Sequence, residues 1–347
     1  MAGRIQLAVA VTVWFVLSSG VPAADVPKAA PVVLAAETTS APTPRPTPPP
    51  PPPDGPATFV DDLPPDAVEI AATGDVNLGA RVGELIRAHG PSYPWEHVSG
   101  LLRTADVTLV NLECAMSTRG SPLDKEYTFR GDPSAVPAMA EAGVDVANLG
   151  NNHAADFGRE ALVDTLGHLR AAGIAAVGAG RNTDEAYRHV VVERSGLRIA
   201  FLGATRVLPY HFGAGSDVPG VASAYEEARL ISAVRAADGD ADVTVVSIHW
   251  GVELAPEPND VQIGLGRALV DAGADVVIGH HPHVLQPVVR YRGAVIAYSL
   301  GNFVFASGSV AGTTTMLLRV GVLPDTSLVV ARVPMRIVGA RPQPAQG

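Results

Sequence analysis

Residues 260–283 read DVQIGLGRALVDAGADVVIGHHPH and contain the pattern that decides the fold. A helix-length segment ends at the pair Ala272-Gly273, and the apolar run 274–278 follows it. Glycine just after a helix favours the left-handed cap, and an apolar run of this length is typical of a buried strand. The same order of helix, Ala-Gly and strand recurs around residues 142–143 and 172–173. This recurrence predicts an α/β domain.

Short β-rich runs alternate with helix-length stretches from about residue 67 onwards. The predicted strands are 68–76, 106–113, 144–149, 174–177, 190–193, 198–204, 242–249, 274–278, 294–298, 314–322 and 328–334. The predicted helices lie near 79–89, 134–142, 158–172, 224–237 and 260–272. The strand-rich sequence after residue 284 indicates a second sheet or an edge.

The N-terminal residues have a composition of their own. Residues 5–17 form an apolar segment after the single basic residue Arg4, and residues 21–23 offer small side chains to a signal peptidase. Residues 1–24 therefore fit a cleaved signal peptide. They equally fit an uncleaved anchor, because extending the apolar stretch through Ala24 gives about the 20 residues that span a bilayer. Both alternatives predict that the rest of the chain is extracytoplasmic, either secreted or tethered to the membrane.

Residues 25–66 are predicted to form a disordered linker. They are rich in proline, and residues 48–53 are six consecutive prolines. Such a run favours polyproline II and acts as a semi-rigid spacer. The boundaries that follow are a folded domain over residues 67–340 and a disordered tail over 341–347.

Overall composition limits the function. The chain has 347 residues, 47% of them hydrophobic, which is ample material for a core. The net charge of −10, from 25 basic and 35 acidic residues, argues against a nucleic-acid partner. The single Cys114 excludes an intramolecular disulfide and a cysteine-cluster metal site. Any metal site must therefore use His, Asp, Glu and Asn.

Polar side chains of metal-binding type follow five of the predicted strands. Ligands gather beyond the carboxyl ends of strands in open α/β sheets, so these side chains share one rim if their strands lie side by side. Mixed carboxylate, amide and imidazole donors suit Mn²⁺, Fe²⁺ or Zn²⁺ better than Ca²⁺. Two ions about 3.5–4 Å apart could activate water for hydrolysis. The candidates are Asp75, Glu113, Asn152, His153, His249, His281 and His283.

Each of these motifs alone is also compatible with a structural role. Gly74-Asp75 suits a turn, Asn152 suits a helix cap, and His249-Trp250 suits a buried core pair. Their recurrence at successive strand ends favours the metal-site hypothesis.

Taken in order, the motifs resemble the capsule-synthesis protein CapA family, also described as poly-γ-glutamate synthesis proteins. They cover roughly residues 68–305 of this chain. The motifs lie at residues 74–78, 111–113, 127–130, 151–156, 249–253, 279–283 and 298–303.

The resemblance implies a fold and a first metal site. The family is similar in fold to calcineurin-like metallophosphoesterases, which implies a four-layer α-β-β-α sandwich with metal ligands on the loops beyond the strands. Asp75 looks like the carboxylate that binds the first metal, and Glu113 looks like the carboxylate that bridges both metals. His283 would complete the first site.

The resemblance also implies a second metal site and a general acid. Asn152, His249 and His281 resemble the ligands of the second metal. His153 would face the substrate and act as a general acid.

The chain departs from the phosphoesterase pattern at three positions. Asn77 stands where those enzymes have a ligand histidine, and Glu113 stands where they have aspartate. The acid expected directly after His153 is Ala154, and Asp156 follows two residues later. Asn77 is kept in the predicted ligand set, and we expect its amide to weaken the first site.

Five further residues are predicted to bind substrate. Arg130 and Lys125 could hold a carboxylate or phosphate, Arg130 through a bidentate fork and Lys125 as a point charge. Lys125 could equally pair with neighbouring charges in a solvated hairpin. Glu253, Ser299 and Asn302 are predicted to line the same pocket, although Asn302 would also suit a turn that needs positive φ.

The resemblance implies an exported protein in the synthesis, export or attachment of an anionic capsule polymer of poly-γ-glutamate type. Its partners would be that polymer or a phosphoester, and membrane-bound components of the polymer synthase. The first alternative is an active envelope metallophosphoesterase. The second alternative is a non-catalytic scaffold that binds metal or ligand within a membrane complex.

Overall fold

The computed structural model describes residues 54–209 and 211–345. The predicted signal peptide or anchor in residues 1–24 lies outside the described residues, as does the predicted linker up to residue 53. Within the described part of the chain, no helix combines the length and apolar character needed to cross a bilayer.

The described residues form short strands and helices in alternation. The strands are β1 Gly55–Pro56, β2 Val68–Val76, β3 Val107–Leu112, β4 Ala115–Met116, β5 Arg130–Gly131, β6 Val146–Asn148, β7 Ala175–Val177, β8 Ala179–Gly180, β9 Val190–Arg194, β10 Leu197–Thr205, β11 Gly220–Val221, β12 Val243–His249, β13 Val276–His280, β14 Val288–Tyr291, β15 Ala294–Ala297, β16 Asn302–Val304, β17 Thr314–Val322, β18 Leu328–Val338 and β19 Arg341–Pro344. The helices are α1 Ala80–His89, α2 Ser99–Leu102, α3 Val136–Glu141, α4 Arg159–Ala171, α5 Thr183–Ala186, α6 Glu227–Asp240, α7 Asp260–Asp271 and α8 Val310–Thr313. The predicted α/β class is confirmed.

Two sheets form the centre of the domain. The first sheet has the order β1-β14-β15-β13-β12-β10-β9, and the second has the order β19-β18-β17-β2-β3-β6-β7. In the first sheet β10, β12, β13 and β15 are parallel. In the second sheet β2, β3, β6 and β7 are parallel. The carboxyl ends of the parallel strands therefore lie at one edge of each sheet.

The main cores explain why the strands are almost continuously apolar. Ile70 of β2 packs with Phe201 of β10 and Val245 of β12 between the two sheets. Ala71, the next residue of β2, faces a second core that includes residues of α1 and α4. Val246 of β12 faces a third core with residues of α6 and α7. Both faces of the central strands are buried, and the order of layers is helices, sheet, sheet, helices.

The domain begins earlier than predicted. Strand β1 forms the edge of the first sheet by pairing with β14, and the Arg292 N–H donates to Asp54 Oδ1 at 2.7 Å. Val60 forms a bridge with Ala331 of β18. Residues 54–66 therefore belong to the folded domain, and the linker prediction is wrong for them. A proline such as Pro56 is tolerated here because an edge strand leaves some N–H groups unpaired.

The chain also ends differently from the prediction. Residues 341–344 form β19, which pairs with β18, so the predicted disordered tail is wrong for them. The strands after residue 284 do not form a sheet of their own. Strands β14 and β15 extend the first sheet, whereas β17, β18 and β19 extend the second. The chain crosses between the sheets near β16, which pairs with β2.

Strand β2 leaves no room for a side chain at Gly74. A Cβ atom there would overlap the carbonyl group of Gly301. We expect Gly74→Ala to lower the free energy of unfolding by about 1–3 kcal/mol, the usual cost of overpacking. The matched control is Gly264→Ala in α7, where a Cβ meets no atom within 4 Å and should add about 0.5–1 kcal/mol of helix stability. Urea unfolding measures both, and an unchanged unfolding free energy in Gly74→Ala would contradict the close packing.

Candidate metal centre

Buried polar side chains from both sheets meet beyond the carboxyl ends of the parallel strands. Asp75 lies near the end of β2, and Glu113 directly follows β3. His249 is the last residue of β12, and the loop after β13 supplies His281 and His283. The two sheets are thus joined at this edge by side chains that bind metals in many proteins.

Asp75 links the sheets through both carboxylate oxygens. Asn111 Nδ2 donates to Asp75 Oδ1 at 2.9 Å, and His280 Nδ1 lies 3.3 Å from the same oxygen. The Oδ2 atom lies 3.1 Å from His283 Nδ1 and accepts the His281 N–H at 3.3 Å. Burial alone would raise the pKa of Asp75, but the imidazoles of His280 and His283 outweigh burial and hold this pKa well below its usual range. Asp75 is therefore a carboxylate.

Glu113 is a buried carboxyl group that lacks hydrogen-bond partners among the described residues. Its Oε1 atom lies 3.6 Å from His249 Nε2, 3.8 Å from His283 Nε2 and 3.9 Å from His153 Nε2. Burial, and then the charge of Asp75, raises the pKa of Glu113 well above its usual range. Buried polar groups in native proteins are normally satisfied, so these separations indicate a place for a cation between the carboxyl group and the imidazoles.

Two of the histidines are held in the neutral form that binds metals. Burial, and then the neighbouring His281, lowers the pKa of His249 well below its usual range. Burial and the charge of His283 lower the pKa of His281 to about 4. His249 Nε2 and His281 Nδ1 have no hydrogen-bond partner among the described residues. A neutral imidazole with a free nitrogen is a metal ligand.

The pKa of His283 is shifted in the opposite direction. Burial would lower its pKa, but Glu113 and Asp75 outweigh burial and raise the pKa of His283 to about 10. Metal binding to imidazole releases such a proton, because the ligand must be neutral. A bound cation would therefore take the place of the positive charge that His283 carries between two carboxyl groups.

The donors form overlapping groups that fit a divalent metal. Asp75, Glu113 and His283 offer ligand atoms within 4.8 Å of one another, and so do Glu113, His249 and His281. Glu113 belongs to both groups. Carboxylate and imidazole donors of this kind suit Mn²⁺, Fe²⁺ or Zn²⁺.

The loop after β13 holds its histidines in a strained backbone. His281 has φ 97° and His283 has φ 57°, both in the left-handed region that non-glycine residues avoid. Such residues cost about 1–3 kcal/mol each and cluster at functional sites. Asn302 supports the loop, because its Oδ1 atom lies 2.9 Å from His283 Nδ1 and its Nδ2 atom donates to His283 O at 3.2 Å. Asn302 thus positions His283.

His153 stands beside the cluster and is held by Asp156. His153 Nδ1 lies 2.6 Å from Asp156 Oδ2, and the Phe129 N–H donates to the same oxygen at 2.7 Å. The Phe129 ring packs on the His153 ring with centroids 4.3 Å apart. Burial lowers the pKa of His153, although Asp156 opposes this shift. The imidazole is therefore fixed in orientation, with Nε2 towards Glu113.

Sequence reasoning did not select Asp156 or Asn111 as site residues. The phosphoesterase pattern places the acid directly after the histidine, whereas here the acid lies three positions after His153. The sequence could have indicated Asp156, because a turn brings residues three positions apart, such as His153 and Asp156, close together. Asn111 precedes Glu113 by two residues, so it points to the same face of the chain and reaches both Asp75 and His249.

Two predicted ligands with amide side chains differ in their surroundings. Asn152 Oδ1 is buried and lacks a hydrogen-bond partner within the described ranges, and its role as a ligand stays a prediction. Asn77 Oδ1 accepts the Gly79 N–H at 2.8 Å and shapes the turn into α1. The role of Asn77 as a ligand stays a prediction.

Lys125 and Arg130 contact different groups. Lys125 Nζ donates to Asp156 Oδ1 at 2.5 Å and to Asn152 O at 2.6 Å, so its charge is neutralised within the site. Arg130 is exposed, and its guanidinium lies 4.2 Å from the centroid of the Phe157 ring. The substrate-binding role of each residue stays a prediction.

Ser299 and Glu253 also differ in position. Ser299 is buried, and its Oγ atom donates to Val284 O at 2.7 Å and accepts the Gly301 N–H at 3.1 Å. These bonds shape the backbone next to the histidine loop. Glu253 is exposed at the mouth of the site, where its carboxylate approaches His281 and His283.

Comparison with known proteins gives a family for the chain. Residues 69–307 match the family model described as bacterial capsule synthesis protein PGA_cap. The capsule biosynthesis protein CapA of Bacillus anthracis is 33% identical over 286 residues, which are 80% of this chain and 70% of that protein. The PGA biosynthesis protein CapA of Bacillus subtilis is 36% identical over 246 residues, covering 70% of this chain and 64% of that protein.

A solved structure of similar shape is a hypothetical protein from Thermus thermophilus, with 16% identity and a TM-score of 0.49, covering 77% of this chain and 99% of that chain. The family match covers the parallel strands of both sheets, apart from the first residue of β2, and every predicted metal ligand. The chain belongs to the bacterial capsule synthesis protein family PGA_cap.

Proposed function

We propose that this chain is an extracytoplasmic accessory protein of capsule polymer synthesis with a metal-dependent hydrolase-type site. One observation carries the proposal: buried donor atoms that lack hydrogen-bond partners among the described residues lie close together. These atoms belong to Glu113, His249 and His281. Buried polar atoms left unsatisfied cost free energy, so a site of this kind is retained for a ligand. The layered fold, with donors at strand ends, supports a centre of metallophosphoesterase type.

The residues divide into two ligand sets that share Glu113. Asp75, Glu113 and His283 would hold one ion, and the second ion would lie between Glu113, His249 and His281. Asn152, with its free Oδ1, would join the second set. A pair of divalent ions supplies an activated water and neutralises the charge that develops on the bond being cleaved.

His153 is placed to hold and donate a proton. Asp156 fixes the imidazole through Nδ1, which leaves Nε2 facing Glu113 and the cluster. A general acid needs a fixed orientation within reach of the leaving atom. The proposed role of His153 is to protonate that atom.

The names of the relatives, which refer to capsule biosynthesis, PGA biosynthesis and an accessory role in polymer synthesis, support a role in making such a polymer. The proposed substrate is an anionic polymer of poly-γ-glutamate type, and the proposed partners are membrane-bound synthase components. The N-terminal apolar segment in the sequence supports export. A chain with a net charge of −10 repels a polyanion except at a local basic patch, so contact with the polymer would be confined to such a patch. A second candidate is an envelope phosphoesterase, which the paired His153 and Asp156 beside the cluster favour.

Metal analysis and hydrolysis assays on the full-length protein test the proposal. We expect about two transition-metal ions per chain, as in two-metal hydrolases, and loss of metal in His281→Ala but not in the exposed control His97→Ala. With metal bound, the protein should shorten poly-γ-glutamate, and His153→Ala should remove this activity.

The outcomes separate the candidates. Cleavage of a phosphodiester without cleavage of the polymer supports the second candidate. If metal binds, neither substrate is cleaved and His153→Ala restores the capsule of a deletion strain, the protein is a scaffold. If the wild-type protein binds no transition metal, the proposed function fails.

A further inference from the structure

The ligand set of Asp75, Glu113 and His283 has only three donors. A tetrahedral Zn²⁺ site takes four ligands, and an octahedral Mn²⁺ site takes six. The phosphoesterase pattern supplies a further donor at position 77, where this chain has asparagine. Asn77 Oδ1 accepts a hydrogen bond from the Gly79 N–H instead. This set therefore has room for a donor from another part of the chain.

Glu253 lies at the solvent side of the same site. Its carboxylate forms a group with His281 and His283 in which all ligand atoms lie within 4.8 Å of one another. His281 is only 6% exposed, and its Nδ1 atom has no hydrogen-bond partner among the described residues. His283 belongs both to this group and to the three-donor set. Glu253 thus approaches the centre at His281 and His283, and its group shares only His283 with the three-donor set.

The loop that carries Glu253 is fixed against the histidine loop. The Leu254 N–H donates to Pro282 O at 2.8 Å. Gly251 has φ 91° and Leu254 has φ 60°, so the backbone turns sharply on both sides of Glu253. A Cβ at Gly251 would also overlap the side chain of Gln262, which the capping box at the start of α7 holds in place. The backbone position of Glu253 is therefore set by the fold.

The side chains on this loop are arranged in an unusual way. Val252 is 56% exposed and Leu254 is 65% exposed, whereas Glu253 between them approaches two histidines. Exposing two large apolar side chains is unfavourable, and it is the consequence of directing the carboxylate towards the site. A free carboxylate at the mouth would repel an anionic substrate, but a carboxylate bound to a cation has its charge neutralised.

We propose that Glu253 is a metal ligand that acts with His281 and His283 and closes the solvent side of the centre. The proposal changes the predicted role of Glu253 from substrate binding to metal binding. It rests on the proposed function in one respect, since a divalent metal must bind.

The test measures the affinity of Mn²⁺ and Zn²⁺ for the full-length protein by chelator competition, with metal content as a second readout. In Glu253→Gln we expect the dissociation constant of one ion to rise by about 10- to 100-fold. Loss of a residue that only supports a metal ligand already has an effect of this size, so loss of a ligand should have at least the same effect. The second ion should bind as in the wild-type protein. The matched control is Glu126→Gln, which removes the same charge from an exposed position on a neighbouring loop and should leave both affinities unchanged.

A second variant separates ligation from charge. Glu253→His removes the carboxylate but restores a donor, so its affinity should recover towards the wild-type value. Equal weakening in Glu253→His and Glu253→Gln would show a purely electrostatic effect and overturn the proposal. Wild-type affinity for both ions in Glu253→Gln would overturn it as well, while the proposed function stands. Absence of metal in the wild-type protein would instead overturn the proposed function and this inference together.

Discussion

Glu113→Gln is expected to lose both metal ions without losing stability in the metal-free state. Glu113 belongs to both ligand groups, so its replacement affects both ions. In the metal-free protein, burial raises the pKa of Glu113, and neither carboxyl oxygen has a hydrogen-bond partner among the described residues. A neutral amide of the same shape therefore breaks no hydrogen bond, and the attraction to His283 that it removes is offset by the cost of burying the Glu113 charge. A substitution that removes metal binding without lowering the free energy of unfolding of the metal-free protein identifies a residue whose role is to bind the metal.

The measurement is urea unfolding with and without metal, together with metal content. Ligand at 100 times its dissociation constant stabilises a native protein by about 2.7 kcal/mol, and Glu113→Gln should lose this increment. The matched control is Glu69→Gln. Glu69 is also buried, but Arg319 donates to both of its carboxylate oxygens at 2.7 Å. Its replacement should lower stability by about 1–3 kcal/mol and leave the metal content unchanged. Wild-type metal content in Glu113→Gln would contradict the shared ligand.

Asp156→Ala is expected to have the opposite pattern, with a large loss of stability and no loss of metal. Asp156 is fully buried and accepts hydrogen bonds from Lys125 and the Phe129 N–H, with His153 Nδ1 at 2.6 Å. Removing one member of a buried ion pair leaves the other charge uncompensated, which costs about 3–5 kcal/mol. Asp156 is outside the three ligand groups, so both ions should still bind.

A double-mutant cycle tests the cause of this loss. Lys125→Met removes the charge that Asp156 compensates, so the double variant should be more stable than the sum of the single effects predicts. Asp164→Ala is the surface control, because Asp164 pairs with the exposed Arg119 and such a pair contributes about 1 kcal/mol or less. Additive effects of Asp156→Ala and Lys125→Met would mean that the ion pair is not the source of the stability.

The central strands were predictable because both of their faces are buried. Strands β2 and β17 have the predicted bounds, 68–76 and 314–322, since a strand between two cores is rich in apolar residues on both of its faces. The edges were not predictable in the same way. Strands β1 and β19 contain proline, which argues against a strand unless the position of the edge is known. Strand β14 alternates between buried and half-buried residues over only four positions, too few for a clear pattern.

The strand-end residues of the centre were predictable from their order along the chain. Their supporting contacts were not, because these depend on how the two sheets meet. Asn111 approaches His249 across the sheets at 3.3 Å, and no local pattern in the sequence shows that contact. The role of Asp156 depends on the turn after β6. The direction of Glu253 depends on a loop whose neighbouring side chains are apolar.

The joining of the two sheets at Asp75 has a consequence for when in folding the proposed metal could bind. The His281 N–H that donates to Asp75 comes from 206 positions further along the chain. Contacts of such separation form late in folding, after most of the chain entropy has been lost. A metal ion bound at this centre would therefore not be the nucleus around which the chain folds, as it is in small zinc domains. Metal uptake would follow the assembly of both sheets, and the metal content of a preparation would report the fraction of molecules in which both sheets are complete.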